Sequence, residues 1–387
     1  MLIKLNTDEK IILCILIFIS CNAFAQFSNN GLDFLTPANF NYPVRQQLWI
    51  LTGDDPFVNE KDIFKIELSY NYSSAEKYFD PAGETHEIKK SYFQYNKGSD
   101  QGGYFRKTGA ILTGQYHWKG LNKVIIRFPF TFTEMKSYSS TTDVKPQEEF
   151  IKPRGPFQDL ELSYERKVSL SDKFSFYAGG GLTIPSSRPK RYLDNPQGGY
   201  GNTWTNNLNM FLSYAISDWR FTGGAKYIIT YPHTEQLFTP RPYGIGYPFQ
   251  YDTTSITFNA LNAYIEQNPY EATIKAGSLV FADFVADYFF KFGLDASLQF
   301  QYFYSSGDKF DQSIPVKMAR VNGSIEPVGY LSELEGGYSG TIRLYLTQDF
   351  AKISKSNFSF TLGFGSSVFG SNAQGEANII LGLIGIF

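Results

Sequence analysis

Apolar and polar residues alternate at a period of two in long segments that begin near residue 62 and recur to the last residue. In the segment 294–304, for example, Leu298 and Phe300 fall on one face, and Gln299 and Gln301 fall on the other. A period of two is that of a β-strand. The segments are about 10 to 13 residues long, which suits a tilted strand crossing a bilayer, whereas strands of soluble sandwiches average about 5 or 6 residues. The pattern therefore predicts an all-β fold, a transmembrane antiparallel up-and-down β-barrel.

The alternating segments predict about twelve strands, and the connections between them differ greatly in length. The predicted strands are 62–73, 103–118, 123–134, 157–168, 173–185, 203–216, 219–231, 271–290, 294–305, 338–350, 357–369 and 374–387. Long connections at 74–102, 135–156, 186–202, 232–270 and 306–337 alternate with short ones at 119–122, 169–172, 217–218, 291–293 and 351–356, and the connection 370–373 is also short. This sorting is typical of barrels with long extracellular loops and short periplasmic turns.

Aromatic content supports the same fold. Phe, Tyr and Trp make up 17% of the residues, with 36 Phe and 27 Tyr. Barrels place aromatic rings in girdles at both bilayer interfaces, and Trp118, Trp204 and Trp219 fall at predicted strand ends. The mean hydropathy of -0.25 argues against helical spans but suits a barrel, in which every second residue faces a polar interior. The net charge of -2 leaves no basic excess, so we expect no nucleic-acid partner.

The first 25 residues are typical of a cleaved signal peptide. The apolar core 11–19 (IILCILIFI) is followed by a small-x-small cleavage pattern at 23–25, so Gln26 would be the first mature residue. An uncleaved transmembrane helix would need about 20 apolar residues, and this run is shorter. A lipoprotein anchor at Cys21 would need a better lipobox than the three residues before it.

Three parts are therefore expected, in an outer-membrane protein that is exported and cleaved after Ala25. They are a signal peptide at 1–25, an N-terminal periplasmic or plug segment at 26–61, and the barrel at 62–387. The chain ends in an alternating strand with Phe387 as its last residue, which resembles the signal that the barrel-assembly machinery reads in its clients. Expected partners are that machinery, outer-membrane lipid and lipopolysaccharide.

Catalytic and metal-binding chemistry is not predicted. His86, His117 and His233 are far apart, and no pair has metal-ligand spacing on a strand face, so we interpret them as solvated or interfacial. Cys14 and Cys21 both lie in the predicted signal peptide, so the mature chain would have no thiol. No nucleophile motif occurs. We expect no enzymatic activity, no catalytic residues, no metal and no cofactor.

The strand faces opposite the apolar ones give candidates for the barrel interior. Both signs of charge are present, so the sequence favours neither an interior packed by salt bridges nor one that offers a path for a small solute. The candidate lumen-facing residues are Lys65, Glu67, Arg127, Asp159, Glu161, Glu165, Arg220, Lys226, Asp283, Asp287, Asp295 and Arg343.

The predicted loop 232–270 is rich in aromatic residues between prolines and glycines. Tyr243, Tyr247, Phe249 and Tyr251 are candidate ligand contacts, because loops that face only water seldom carry so many rings. The alternative is that the rings pack on one another and close the barrel.

Residues 150–230 resemble the outer-membrane transporter-like family associated with phenol meta-degradation pathways. The resemblance rests on Gly155 to Asp159 at the start of one strand and on the glycine-rich strand 178–185 (AGGGLTIP) that ends in proline. It implies a barrel of about this size with a role in the uptake of hydrophobic compounds. A second resemblance, of residues 35–40 (LTPANF), is to the long-chain fatty-acid channel family, whose N-terminal hatch plugs the barrel; that family's Asn-Pro-Ala motif is absent here.

Two functions follow from the predicted fold. The first is passive, energy-independent uptake of small, hydrophobic or aromatic molecules through the barrel. The second is a structural or surface-interaction barrel whose extracellular loops bind a partner. Conduction of a solute separates the two, because only a channel conducts.

Overall fold

The structure is a computed structural model, and it describes most of the C-terminal three quarters of the chain. The described residues are 62–79, 82–87, 104–118, 121–136, 160–169, 171, 173–185, 191–192, 204–238, 270–275, 277–319, 325–334, 336–350, 356–371 and 373–387. The predicted signal peptide and the segment 26–61 lie outside them. None of the described residues forms a helix that is long and apolar enough to cross a membrane.

The described residues form β-strands joined by turns and short irregular connections. The strands are β1 (Ile63–Phe79), β2 (Thr85–Glu87), β3 (Tyr104–Trp118), β4 (Asn122–Lys136), β5 (Leu160–Ser169), β6 (Phe174–Ile184), β7 (Arg191–Tyr192), β8 (Thr205–Ile216), β9 (Trp219–Thr230), β10 (His233–Phe238), β11 (Tyr270–Lys275), β12 (Leu279–Phe289), β13 (Leu294–Ser305), β14 (Asp308–Ala319), β15 (Ile325–Leu334), β16 (Gly337–Asp349), β17 (Phe358–Ser371) and β18 (Ala373–Ile386).

Twelve of the described strands form a closed antiparallel barrel, which confirms the predicted fold and strand number. In order around the wall they are β1, β3, β4, β5, β6, β8, β9, β12, β13, β16, β17 and β18, with β2 paired to the end of β1. β18 pairs with β1 and closes the ring, with Leu383 opposite Leu68. The backbone N–H of Phe387 also donates to the carbonyl of Phe64 at 2.8 Å. Every barrel strand therefore has a hydrogen-bonded neighbour on both sides, as a membrane-spanning sheet requires.

Side chains alternate between the two faces of the wall in the predicted register. On β1, Leu68 is 51% exposed on the outer face, while Glu67 on the inner face is 1% exposed. On β13, Leu298 is 53% exposed and Gln299 is 3% exposed. An outer face made of large exposed apolar side chains is what contact with lipid tails demands. The barrel is therefore of the transmembrane kind.

The short connections between β3 and β4, β5 and β6, β8 and β9, β12 and β13, and β16 and β17 lie together at one end of the barrel, here called the turn end. The opposite end, which also holds the tight connection between β17 and β18, is called the loop end. Aromatic rings surround the turn end: Tyr116 stacks on Trp118 with ring centroids 5.9 Å apart, and Trp219 lies 4.9 Å from Tyr288. Trp204, which precedes β8 at the loop end, is also exposed. These positions match the interfacial girdles predicted for the tryptophans.

At the loop end the structure corrects three predicted loops and one predicted strand. A second sheet of five described strands, in the order β15-β14-β11-β10-β7, occupies parts of the segments 186–202, 232–270 and 306–337, which were predicted as loops. The segment 271–290 was predicted as one strand but is two, because β11 belongs to the second sheet and β12 to the barrel.

Close backbone contacts explain why the strand is interrupted there. A Cβ atom on Gly277 would lie 2.0 Å from the carbonyl oxygen of Gly307, and one on Gly336 would lie 2.1 Å from that of Ser305. Gly307 also has a φ of 79°, in the left-handed region that favours glycine. The connections between the two sheets therefore meet backbone to backbone, which no residue with a side chain allows.

Candidate functional site

The inner face of the barrel holds most of the predicted lumen-facing residues. Among the predicted residues, Arg220 is partly buried, and Asp159 lies outside the described residues. The others are buried: Lys65, Glu67, Arg127, Glu161, Glu165, Lys226, Asp283, Asp287, Asp295 and Arg343. Because a buried charge is costly unless it is paired, the partners of these side chains decide what the interior can do.

Glu161 on β5 is the centre of one interior cluster, which we call the Glu161 cluster. Its Oε1 accepts hydrogen bonds from Arg127 Nη1 at 3.1 Å, from Lys226 Nζ at 2.8 Å and from Ser163 Oγ at 3.3 Å. Arg127 lies directly opposite on the adjacent strand β4. Lys226, by contrast, lies on β9, and β6 and β8 separate it from β5. The Lys226–Glu161 ion pair therefore crosses the interior as a chord.

The glycines of β6 leave room for contacts between non-adjacent strands. Gly179 stands between Glu165 on β5 and Asn209 on β8, and Asn209 Nδ2 donates to Glu165 Oε1 across it at 3.4 Å. A Cβ atom on Gly179 would lie 2.1 Å from the carbonyl oxygen of Tyr164 and 2.8 Å from Glu165 Cγ. Lys123 completes this group with an ion pair to Glu165. The glycine run 179–181 thus serves the close packing of the wall.

A second interior cluster, the Asp283 cluster, runs along three neighbouring strands. Asp283 Oδ1 on β12 accepts from the Nε2 atoms of Gln299 and Gln301 on β13, both at 2.9 Å. The amide oxygens of these glutamines face β16, where Arg343 Nη1 donates to Gln301 at 3.0 Å and Tyr345 Oη donates to Gln299 at 3.1 Å. The two glutamine amides therefore connect the carboxylate of Asp283 to the guanidinium of Arg343 through hydrogen bonds.

Towards the turn end, Asp287 joins a third group of polar side chains. Arg220 Nε donates to Asp287 Oδ2 at 3.0 Å, and Ser297 Oγ donates to Asp287 Oδ1 at 2.6 Å. The guanidinium of Arg220 also lies over the ring of Phe289, with its Cζ 5.1 Å from the ring centroid. Charges of both signs thus neutralise one another locally, so the inner wall presents no single-sign field.

Apolar side chains also face inward, and their grouping was not predicted. Ile228, Leu279 and Phe281 form a buried cluster towards the loop end, and Phe303 packs against it with its ring centroid 4.8 Å from that of Phe281. We call these four residues the inner apolar cluster. A change in the pattern along β12 could have revealed them. Leu279 and Phe281 lie on the same face of this strand as the polar Asp283, so that face changes from apolar to polar along the strand.

Another correction concerns His117. It was interpreted as a solvated or interfacial histidine, but it is only 1% exposed on the inner face near the end of β3. Gln115, two residues earlier, is also buried, which shows that the inward face of β3 continues to this end of the strand. No group of three or more potential metal ligands occurs in the part of the chain that the structure describes.

Several predicted site residues fall outside the described residues or remain predictions. Tyr243, Tyr247, Phe249 and Tyr251 lie in the segment 239–269, which is outside them. Phe387 is described and exposed, and its backbone pairs with Phe64, but its role as an assembly signal stays a prediction.

Comparison with known proteins bears on the fold. No protein-family model and no curated protein matches the sequence. Among solved structures, an outer membrane channel from Pseudomonas putida F1 matches with a TM-score of 0.55 and 12% identity, covering 87% of this chain and 99% of that chain. The NanC porin matches with a TM-score of 0.38 and 8% identity, covering 82% of this chain and 98% of its own. The translocator domain of the autotransporter NalP from Neisseria meningitidis matches with a TM-score of 0.38 and 7% identity, covering 84% and 89%.

These likenesses concern architecture only. The identities are low, so the match to the Pseudomonas putida channel shows the fold alone, and the two lower TM-scores carry no argument. The closed wall, the apolar outer face and this match define a β-barrel of the outer-membrane type, as the sequence predicted.

Proposed function

We propose that this barrel is a passive outer-membrane channel for small, hydrophobic or aromatic molecules, in a chain exported with residues 1–25 removed. The observation that carries the proposal is the inner apolar cluster. Phe281 and Leu279 are 2% and 1% exposed, yet they lie on the inner face of a wall whose outer face already carries most of the exposed large apolar side chains, and Phe303, which packs against them, is only partly buried. Apolar side chains on the inner face offer contacts that an apolar solute can use and a hydrated ion cannot.

The polar clusters support the same solute class. Lys226 is paired with Glu161, and Asp283 is linked to Arg343 through two glutamines, so neither charge is left to attract an ion from solution. A neutral solute meets no electrostatic barrier at such a wall. The resemblance to the transporter-like family of phenol meta-degradation pathways adds the expectation of an aromatic solute.

Current recordings in planar bilayers test the proposal. We expect the purified barrel to give discrete conductance steps, and we expect toluene to interrupt this current in a concentration-dependent way. Phe281→Ala should raise the half-blocking toluene concentration about tenfold, since an aromatic contact is worth roughly 1 kcal/mol or more. The matched control is Phe284→Ala, on the same strand but exposed on the outer face. Equal shifts in the two variants would place the toluene effect in the lipid and contradict an inner site.

A structural or surface-interaction barrel is the second candidate, and one observation favours it. Inward side chains on the described strands are almost all buried, as expected for an interior filled by its own residues. The second sheet at the loop end would then be the surface that meets a partner. A barrel that folds into bilayers but never conducts would support this candidate over the channel.

A further inference from the structure

Three inward residues in one row of the wall have polar atoms without a hydrogen bond. Glu67 on β1 faces Thr113 on β3, and Thr113 faces Arg127 on β4. All three are buried, with exposed fractions of 1%, 1% and 3%. Glu67 Oε2, Thr113 Oγ1 and Arg127 Nε have no hydrogen-bond partner among the described residues, although Arg127 Nη1 is bound to Glu161.

Leaving such atoms unpaired is unfavourable, particularly for a charged group. A buried polar atom without a partner costs about 1–3 kcal/mol, and more when it is charged. In native proteins nearly all such atoms are satisfied by protein, water or a ligand. The row therefore has a physical tendency to bind a group that supplies the missing partners. Glu67 and Arg127 are long side chains, so a rotamer change can admit that group without backbone movement.

The three atoms together specify the chemistry of that group. Glu67 Oε2 only accepts, Arg127 Nε only donates, and a threonine hydroxyl does either. An anion would be repelled by Glu67 and by Glu161, and a cation would be repelled by Arg127 and by Lys65, which is buried two residues from Glu67 on the same inward face. A neutral hydroxyl satisfies the row, because it donates to Glu67 and accepts from Arg127.

Three isoleucines border the row, beside the polar Lys65, Ser69 and Gln115 on the same inward faces, and these isoleucines indicate what the hydroxyl is attached to. Ile384 lies directly opposite Glu67 on β18. Ile111 and Ile125 lie two residues from Thr113 and Arg127 on the same inward faces, and both are buried. We propose that the Glu67–Thr113–Arg127 row binds the hydroxyl of a small apolar alcohol. The inference rests on the proposed channel function and narrows its solute class from apolar molecules to hydroxylated ones.

Binding of two matched probes tests the inference. The probes are 4-fluorobenzyl alcohol and 4-fluorotoluene, which share a ring and differ by the hydroxyl, and binding to the barrel in nanodiscs is followed by ¹⁹F NMR titration. We expect Thr113→Val to weaken binding of the alcohol about fivefold and Glu67→Gln to weaken it about tenfold, as loss of one neutral and one charged hydrogen-bond partner implies. Binding of 4-fluorotoluene should change less than twofold in both. Comparing each probe with itself across variants removes its partition into lipid.

Thr230→Val is the matched control, since Thr230 is a buried inner-face threonine on β9, far around the ring from β3. It should leave the affinity for the alcohol unchanged. If Thr113→Val and Thr230→Val weaken alcohol binding alike, or if the wild-type barrel binds both probes equally, the row does not recognise a hydroxyl and the inference is wrong. Toluene block of the current would still stand in that case, so failure of the inference is distinguishable from failure of the channel proposal. Retained 4-fluorotoluene binding shows in each variant that the barrel has folded.

Discussion

A charge on the outer face of β13 tests the membrane placement of the barrel most directly. Leu298 is 53% exposed on that face, beside the outward Leu344 of β16. It is the fifth residue of β13, so at about 3.4 Å per residue and a tilt of about 40° it lies roughly 10 Å from the turn-end boundary. The apolar band of such a barrel is about 25 Å tall, which places Leu298 close to the bilayer midplane.

From this depth the cost of Leu298→Arg follows. An arginine on the lipid face costs about 2–4 kcal/mol at the midplane and about 0–1 kcal/mol near the interfaces. We therefore expect Leu298→Arg to lower the free energy of unfolding by about 2–3 kcal/mol. The matched control is Leu294→Arg, the same substitution at the first residue of the same strand, where the cost should stay below about 1 kcal/mol.

The assay is reversible denaturant unfolding in phosphatidylcholine vesicles, with folded barrel measured by its heat-modifiable migration on gels. Equal losses of stability in the two arginine variants, or a loss below about 1 kcal/mol at Leu298, would refute the depth assignment. Gln299→Arg is not a suitable inner-face control, because Arg343 Nη1 lies 3.4 Å from Gln299 Oε1 and the new cation would be repelled.

Three further expectations concern packing, assembly and export. Gly179→Ala should lower the free energy of unfolding by roughly 2 kcal/mol or more, because its Cβ would lie 2.1 Å from a backbone carbonyl oxygen. Gly114→Ala, whose Cβ would have nothing within 4 Å, should change this free energy little. Denaturant unfolding in vesicles measures both, and equal effects would contradict the packing argument. Deletion of Phe387 should reduce the amount of heat-modifiable barrel in the outer membrane because two backbone hydrogen bonds to Phe64 are lost with the terminal ring; unchanged levels would make the terminal aromatic incidental. N-terminal sequencing of the outer-membrane fraction should begin at Gln26, and folded protein in the soluble periplasm would contradict the predicted location.

The barrel strands could be predicted because one physical demand, contact with lipid on one face only, acts along their whole length. The exposed Leu298 and the buried Gln299 both follow from it. The interruption between β11 and β12 does not follow from contact with lipid, because only β12 belongs to the barrel. A signal was nevertheless present: the buried residues of β11 are even-numbered, Ala272 and Ile274, whereas those of β12 are odd-numbered, beginning at Leu279. This change of phase, together with Gly277, marks the transfer of the chain from one sheet to the other.

The interior was only half predictable for a different reason. Alternation assigns Glu161 and Lys226 to the inner face, but it does not pair them, because their contact depends on ring closure and on the width of the wall between β5 and β9. The absence of side chains at Gly179 and Gly181 permits such contacts and is visible in the sequence. Its meaning appears only when the strands beside β6 are known.

In the proposed channel, the ion pair between Lys226 and Glu161 would limit the size of the molecule that passes. A salt bridge that spans from β9 to β5 divides the cross-section of the barrel into two unequal parts at that level. The widest passage of the proposed channel would then be bounded by this salt bridge, a strut of two side chains, rather than by the circumference that twelve strands provide. A size limit of this kind can be altered by a single substitution in the strut, without any change in the number of strands.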